Sequence, residues 1–377
     1  MVCHRLLPLP FIALLLTICL EPTVAAEWYP GIIHCHTTFS DGAESVEAVT
    51  DLMRNELAQY REDGRGFLIF TDHIETLMKK GEPSFHDYVA AVHAASRPEF
   101  VTMAGLEIEA LWTPEEGVVG HSHSVTIGDL PADAEALSAV WQKLVAVKTP
   151  PTGGPTQQEI TTAIRDIGMV PVAAHPFQVL TNVNCHDFST GTEGLRGMEM
   201  WYATLPKLTE QGIDSYIQRV AAGEPAMVTS SCDYHRRIQV YLGSLKCVTW
   251  VYAEELTPAG IQSAVEAGRT YAVSRGASFT ELSPVPGPSA GERTGTLTAT
   301  ARVPKVEPPD APVTFTLYHD GAIVDQKQVP WQEELTYTYT CPTPEGEQPG
   351  AQWYVLRVGD NIITSPIALY PGAAGVQ

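Results

Sequence analysis

Nine positions of the 377-residue chain carry side chains suited to binding metal or moving protons: His34, His36, Asp41, His73, Glu107, His121 or His123, His175, Asp233 and His235. Each stands at or just past an apolar run of strand length. Ile32-Ile33 precedes His34, Phe67–Phe70 leads to Thr71-Asp72-His73, and Phe100–Ala104 leads to Gly105-Leu106-Glu107. Val118-Val119 leads to Gly120-His121-Ser122-His123, Met169–Ala174 to His175-Pro176, and Ala226–Ser231 to Cys232-Asp233-Tyr234-His235. On a strand, successive side chains alternate faces, so His34 and His36 are expected on one face and Cys35 on the other. Two imidazoles so placed can bind one ion. Ser40-Asp41-Gly42 then reads as a turn that sets a carboxylate beside them. So many mixed His, Asp and Glu ligands exceed the needs of one ion; two or three divalent ions bridged by a carboxylate fit better.

The elements that must position these residues follow from periodicity. Val46, Val49, Leu52, Met53 and Leu57 have helical spacing within Ala43–Tyr60, and helical stretches are also expected at Gln157–Ile167 and Leu256–Gly268. Strand, polar end and helix recur in that order, which predicts an α/β barrel with its site at the carboxyl ends of the strands. From Ala277 the pattern changes to short alternating runs such as Leu297, Ala299, Ala301 and Val303, separated by turns such as Asp320-Gly321. That predicts a small all-β sandwich over 277–377, after a barrel domain over 27–276.

The first 26 residues read as a cleavable leader, with Arg5, an apolar stretch through Leu14-Leu15-Leu16, and Val24-Ala25-Ala26 before Glu27. The apolar stretch is shorter than the ~20 residues of a membrane span. The expected location is periplasmic or secreted, with no stable membrane insertion after cleavage. The net charge of −21 argues against a nucleic-acid partner, whose phosphates would be repelled. Of seven cysteines, Cys35, Cys185, Cys232, Cys247 and Cys341 would remain, enough for one or two disulfides but without zinc-finger spacing. Cys35 and Cys232 are expected to pack as small core residues. There is no phosphate-binding GxxxxGK[ST], no GxGxxG after a strand and no GxSxG elbow.

The ordered set of motifs resembles the PHP (polymerase and histidinol phosphatase) family over about residues 31–275. The matching residues are His34/His36, Ser40-Asp41-Gly42, Thr71-Asp72-His73, Gly105-Leu106-Glu107, His175-Pro176 and Asp233-x-His235. The end of the chain, Ile362-Ile363-Thr364-Ser365-Pro366-Ile367, resembles the β-domain of the exported, carbaryl-hydrolase-like branch. The resemblance implies a distorted seven-stranded β/α barrel holding two or three Mn, Fe or Zn ions. It implies His34, His36, Glu107 and Asp233 at a first ion. It implies Glu107, His175 and one histidine of the 121/123 pair, preferably His123, at a second, and Asp41, His73 and His235 at a third. The implied activity is hydrolysis of a small-molecule ester by a water held between ions, with Glu107 bridging and His73 or His235 protonating the leaving group. A phosphate ester is the first expectation, a carbamate or carboxylic ester the second, and a non-catalytic metal-binding protein the third. Asp72 is expected to orient a neighbouring ligand, and Arg236, Arg237, Lys79 and Lys80 are cations near the motifs.

Overall fold

A computed structural model describes residues 26–373 except 116–117, 150–153, 177–178, 181–182, 185–192, 202–209, 225, 238, 240–246, 289–292, 306–307, 309–310 and 343–349. At 111–115, 118–121, 179–180, 183–184 and 210–211 it describes the backbone alone. The expected leader, Cys185 and the side chain of His121 therefore lie outside the described residues.

The first part of the chain contains β1 (Glu27–Cys35), α1 (Val46–Leu57), β2 (Gly66–Phe70), α2 (Ile74–Lys80), α3 (Glu82–Ala95), β3 (Phe100–Ala104), β4 (Glu107–Glu115) and β5 (Val118–Ile127). Then come α4 (Ala134–Lys148), α5 (Gln157–Asp166), β6 (Val170–Ala173), the short β7 (Val179–Leu180) and β8 (Val183–Asn184), and β9 (Gly197–Trp201). α6 (Glu210–Ala221), β10 (Met227–Tyr234), β11 (Val248–Ala253), α7 (Pro258–Glu266) and β12 (Thr270–Val273) complete it. Helix starts follow local chemistry. Ser45 and Asp133 accept hydrogen bonds from the first turns of α1 and α4, and Thr156 with Glu159 forms a capping box on α5. Among the described residues no helix is long and apolar enough to cross a membrane.

Strand pairing runs β3–β2–β1–β10–β9–β6–β5–β4. The two ends of this path, β3 and β4, are consecutive in the chain, joined through Gly105-Leu106 rather than by a ladder. The joint is drawn onto β5 by Thr126 N–H donating to Leu106 O and Leu130 N–H donating to Ala104 O. Glycine is needed there, since a Cβ on Gly105 would lie 2.6 Å from Thr126 O and 2.9 Å from Phe70 O. Alternation sorts the strand residues into two cores. Ile33, Phe67, Ile69, Val101, Met103, Val125 and Val172 form one cluster; Ile32, Leu68, Phe70, Phe100 and Ala104 join α1 and α3 in another. Each such side chain contributes about 1.5–3 kcal/mol on burial.

β13 (Ser278–Ser283), β14 (Thr296–Arg302), β15 (Val313–His319), β16 (Ala322–Val329), β17 (Leu335–Thr340), β18 (Gln352–Val358), β19 (Ile362–Thr364) and β20 (Ile367–Leu369) follow. β13, β14 and β17 form a three-stranded sheet, and Tyr337 on β17 stacks at 5.2 Å on Phe315 of β15. The opposing strands are not a separate sheet. β19 pairs with β12, Tyr271 opposite Thr364 and Val273 opposite Ile362, so hydrogen bonding runs straight across position 276. Ser365 Oγ accepts from Val228 N–H and shares a hydrogen bond with Thr270 Oγ1, and Ile363 is fully buried against residues of the first part. Both parts therefore share one stability. Ile363→Ala is expected to cost about 2–5 kcal/mol. In urea denaturation, probes near Trp250 and Trp331 should still move in one transition.

Candidate metal centre

The site grows from strand ends that leave regular geometry. Between Ile33 and Cys35, β1 has one residue more than β2 and one fewer than β10. His34 takes up that mismatch at φ 71°, and Asp233 on the facing strand sits at φ 40°. His34 and His36 do converge, but simple strand alternation is not what turns them. His34 lies in a bulge, and His36 is already past the strand. His175 has φ 30°. Such backbone costs of order 1–3 kcal/mol per residue and persists where the surroundings enforce it. The turn after His36 also needs glycine, because a Cβ on Gly42 would lie 2.4 Å from the His36 carbonyl.

Glu107, almost fully buried, is the hub. Its Oε2 lies 3.1 Å from His34 Nε2, 3.1 Å from His36 Nε2 and 3.3 Å from His73 Nε2. Its Oε1 lies 2.7 Å from His123 Nδ1 and 3.1 Å from His175 Nε2. Asp233 Oδ1 is 3.3 Å from both His34 Nε2 and His36 Nε2. Asp41 Oδ2 is 3.2 Å from His235 Nε2 and 3.8 Å from His73 Nε2. Three groups result, each with ligand atoms within 4.8 Å of one another: His34, His36, Glu107 and Asp233; Glu107, His123 and His175; His36, Asp41, His73 and His235. The structure thus gathers every expected site residue, places His123 on Glu107, and adds His36 to the Asp41 group. Asp41, His73 and His235 are the more exposed members, so the third group forms the mouth.

The charges are unbalanced in a telling way. Burial raises the cost of charging Glu107 and Asp233, yet the surrounding imidazoles hold both carboxyls well below the usual carboxylate range. Conversely, burial disfavours imidazolium, but Glu107, Glu199 and Asp233 carry His34 well above its ordinary value. Asp233 and Glu107 likewise push His36 up to about 10. Burial prevails at His73, whose pKa is lowered.

Several positioning groups have no motif to announce them. Glu199 accepts from His34 Nδ1 at 3.0 Å and from the His175 backbone N–H at 2.7 Å. Its sequence signal is an acid inside the strand-length run Gly197-Met198-Glu199-Met200-Trp201, where a buried carboxylate needs donors. Ser231 Oγ lies 3.1 Å from the same His34 Nδ1. Asp72 accepts from Thr37 N–H, Thr37 Oγ1 and Ser40 Oγ, and that Oγ lies 3.3 Å from His36 Nδ1, so Asp72 braces His36 through the turn. The Gln239 side chain accepts from His235 N–H and donates to Asp233 O. Lys80 donates to Thr38 O and Phe39 O, which engages it with the turn rather than leaving it for an anion. Cys35 and Cys232 are buried in the core; with Cys247 and Cys341 they are free thiols, so no disulfide is found among the described cysteines.

No protein-family profile matches the chain, and no curated protein matches it. Solved structures offer loose likenesses. One is a two-domain protein containing a predicted PHP-like metal-dependent phosphoesterase from Bacteroides vulgatus, at 15% identity and TM-score 0.44, covering 92% of this chain and 95% of that one. Another is an amidohydrolase from Chromobacterium violaceum with bound sulfate and no metal, at 15% identity and TM-score 0.34, covering 54% and 87%. At these scores neither likeness bears on function.

Glu199→Gln keeps the shape but removes the charge that orients His34. It is expected to weaken Mn²⁺ binding about 10–100-fold, read by calorimetric titration, with the far-UV spectrum unchanged.

Proposed function

We propose that the chain is a metal-dependent hydrolase of the PHP type, working on a seven-strand barrel in which β3 and β4 count as one bent strand. One observation carries the reading. His34 Nε2 and His36 Nε2 are buried and make no hydrogen bond, although carboxylate oxygens stand 3.1–3.3 Å away. Nitrogens so close to carboxylates but misaligned with them are arranged to share a cation, which suits the donor set for a divalent ion. By the same chemistry His123 and His175 with Glu107 suit a second ion, and Asp41, His73 and His235 with His36 suit a third. Divalent ions there would supply Lewis acidity and lower the pKa of bound water toward neutrality.

The chain's own residues do the rest. Glu107 spans the first two groups and keeps their spacing, while Glu199 and Asp72 fix His34 and His36. Where no third ion engages them, His73 or His235, partly exposed at the mouth, would hand a proton to a leaving oxygen. Three contiguous groups favour a small phosphate ester, whose developing charge is spread over several oxygens, whereas a carbonyl develops charge on one. Arg236, exposed beside His235, is the cation placed to meet it. Residues 1–26 support export of the chain to the periplasm or medium.

The test uses protein stripped of metal and reloaded with Mn²⁺, Fe²⁺ or Zn²⁺, assayed on matched aryl phosphate and aryl carbamate substrates. Metal-dependent phosphate release is expected, falling by more than about 100-fold in Glu107→Gln without loss of folding. Carbamate cleavage alone would move the function to carbonyl hydrolysis on the same centre. Wild-type activity in Glu107→Gln would refute the site.

A further inference from the structure

β4 carries the hub Glu107, yet it is the last strand of its sheet: its ladder is with β5 alone, and on the other side it makes a single parallel bridge, Glu107 with His73. An edge strand has unpaired N–H and C=O groups along its open side. At Glu109 both point that way: its register partner His123 turns its own carbonyl to β6, accepting from Ala174 N–H. These two groups are met by side chains. Glu75 Oε1, in the first turn of α2, accepts the Glu109 N–H at 3.0 Å. Lys148, the last residue of α4, donates its ammonium to Glu109 O and pairs with the same Glu75 oxygen at 2.6 Å. Two residues earlier on the strand, Glu107 N–H donates to Asp72 O. The start of α2 thus runs beside β4 where a neighbouring strand would lie.

We propose that the Glu75–Lys148 ion pair is a positioning clamp that substitutes for the missing strand and sets Glu107 relative to His73. Glu107 and Glu109 lie on the same face of β4, so fixing the Glu109 peptide fixes the direction in which Glu107 leaves the strand. Glu75 lies two residues after His73, so the clamp ties the two groups that approach at Glu107 Oε2. Its side chains are largely buried, 10% exposed for Lys148 and 20% for Glu75, so removing one partner leaves the other charge poorly solvated. Charge and direction both matter: the N–H requires an acceptor and the C=O a donor, an order no exchange of the two residues reproduces.

The inference rests on the metal reading for its consequence but not for its geometry, and the experiment separates them. Amide exchange across residues 104–110 and Mn²⁺ affinity are measured on the full chain for wild type, Glu75→Gln, Lys148→Met and the double variant. Faster exchange at Glu107 and Glu109 is expected in each variant, with Mn²⁺ affinity about 10-fold weaker. The double variant should be no worse than Lys148→Met, since the two residues act as one unit. Ile363→Ala, which destabilises the fold elsewhere, should leave Mn²⁺ affinity unchanged and so excludes general loosening as the cause. Unchanged exchange at 107–109 would overturn the clamp, as would Mn²⁺ affinity within about twofold of wild type in both single variants. If wild type takes up no Mn²⁺, the proposed function falls, and the exchange result alone decides the clamp.

Discussion

A carboxylate buried among imidazoles is the constraint on which the rest depends. Glu107 is out of water, and a lone charge in that position would cost many kcal/mol. What makes it tolerable is the ring of His34, His36, His73, His123 and His175 within 3.3 Å of its two oxygens. Those imidazoles come from four separate stretches of the chain, so the fold must deliver all of them to one point. Irregular backbone at His34, His175 and Asp233 is the cost of that delivery. Each stands where a strand ends and neighbouring ladders hold the distortion in place.

Support is layered behind the ring in the same currency of charge and hydrogen bonds. Glu199 ties His34 to the backbone of His175, Asp72 ties the turn after His36 to β2, and Gln239 ties His235 to Asp233. Glu75 and Lys148 meet the Glu109 peptide on the open side of β4. A site assembled from strand ends needs such bracing, because an error of about 1 Å at a ligand can cost 100-fold in rate. The shared sheet through β12 and β19 extends this rigidity to the C-terminal strands.

Much of this is legible in the sequence because the ligands are chemically rare and sit beside the patterns that announce strands. HxH after Ile32-Ile33, and His175 after Met169–Ala174, combine an apolar run with a residue that seldom ends one by chance. The bulge at His34 was not legible, since it depends on a register mismatch with two different neighbours. Glu199, Glu75 and Lys148 were hidden for a related reason: each acts on a residue far away in sequence, and a single carboxylate or lysine has no local signature. The continuity of the sheet across position 276 was masked by the composition change at Ala277, which marks where helices stop rather than where hydrogen bonding stops. α2 and α3 lacked a clear stripe because Gly81 and Pro83 interrupt the run between them.

The most direct measurement is anomalous diffraction from crystals of the chain grown with Mn²⁺. The account predicts peaks inside the His34–His36–Glu107–Asp233 group and the Glu107–His123–His175 group, about 2–2.5 Å from their nitrogen and oxygen atoms. Ordered density for all of these side chains with no anomalous signal among them, at saturating Mn²⁺, would contradict it.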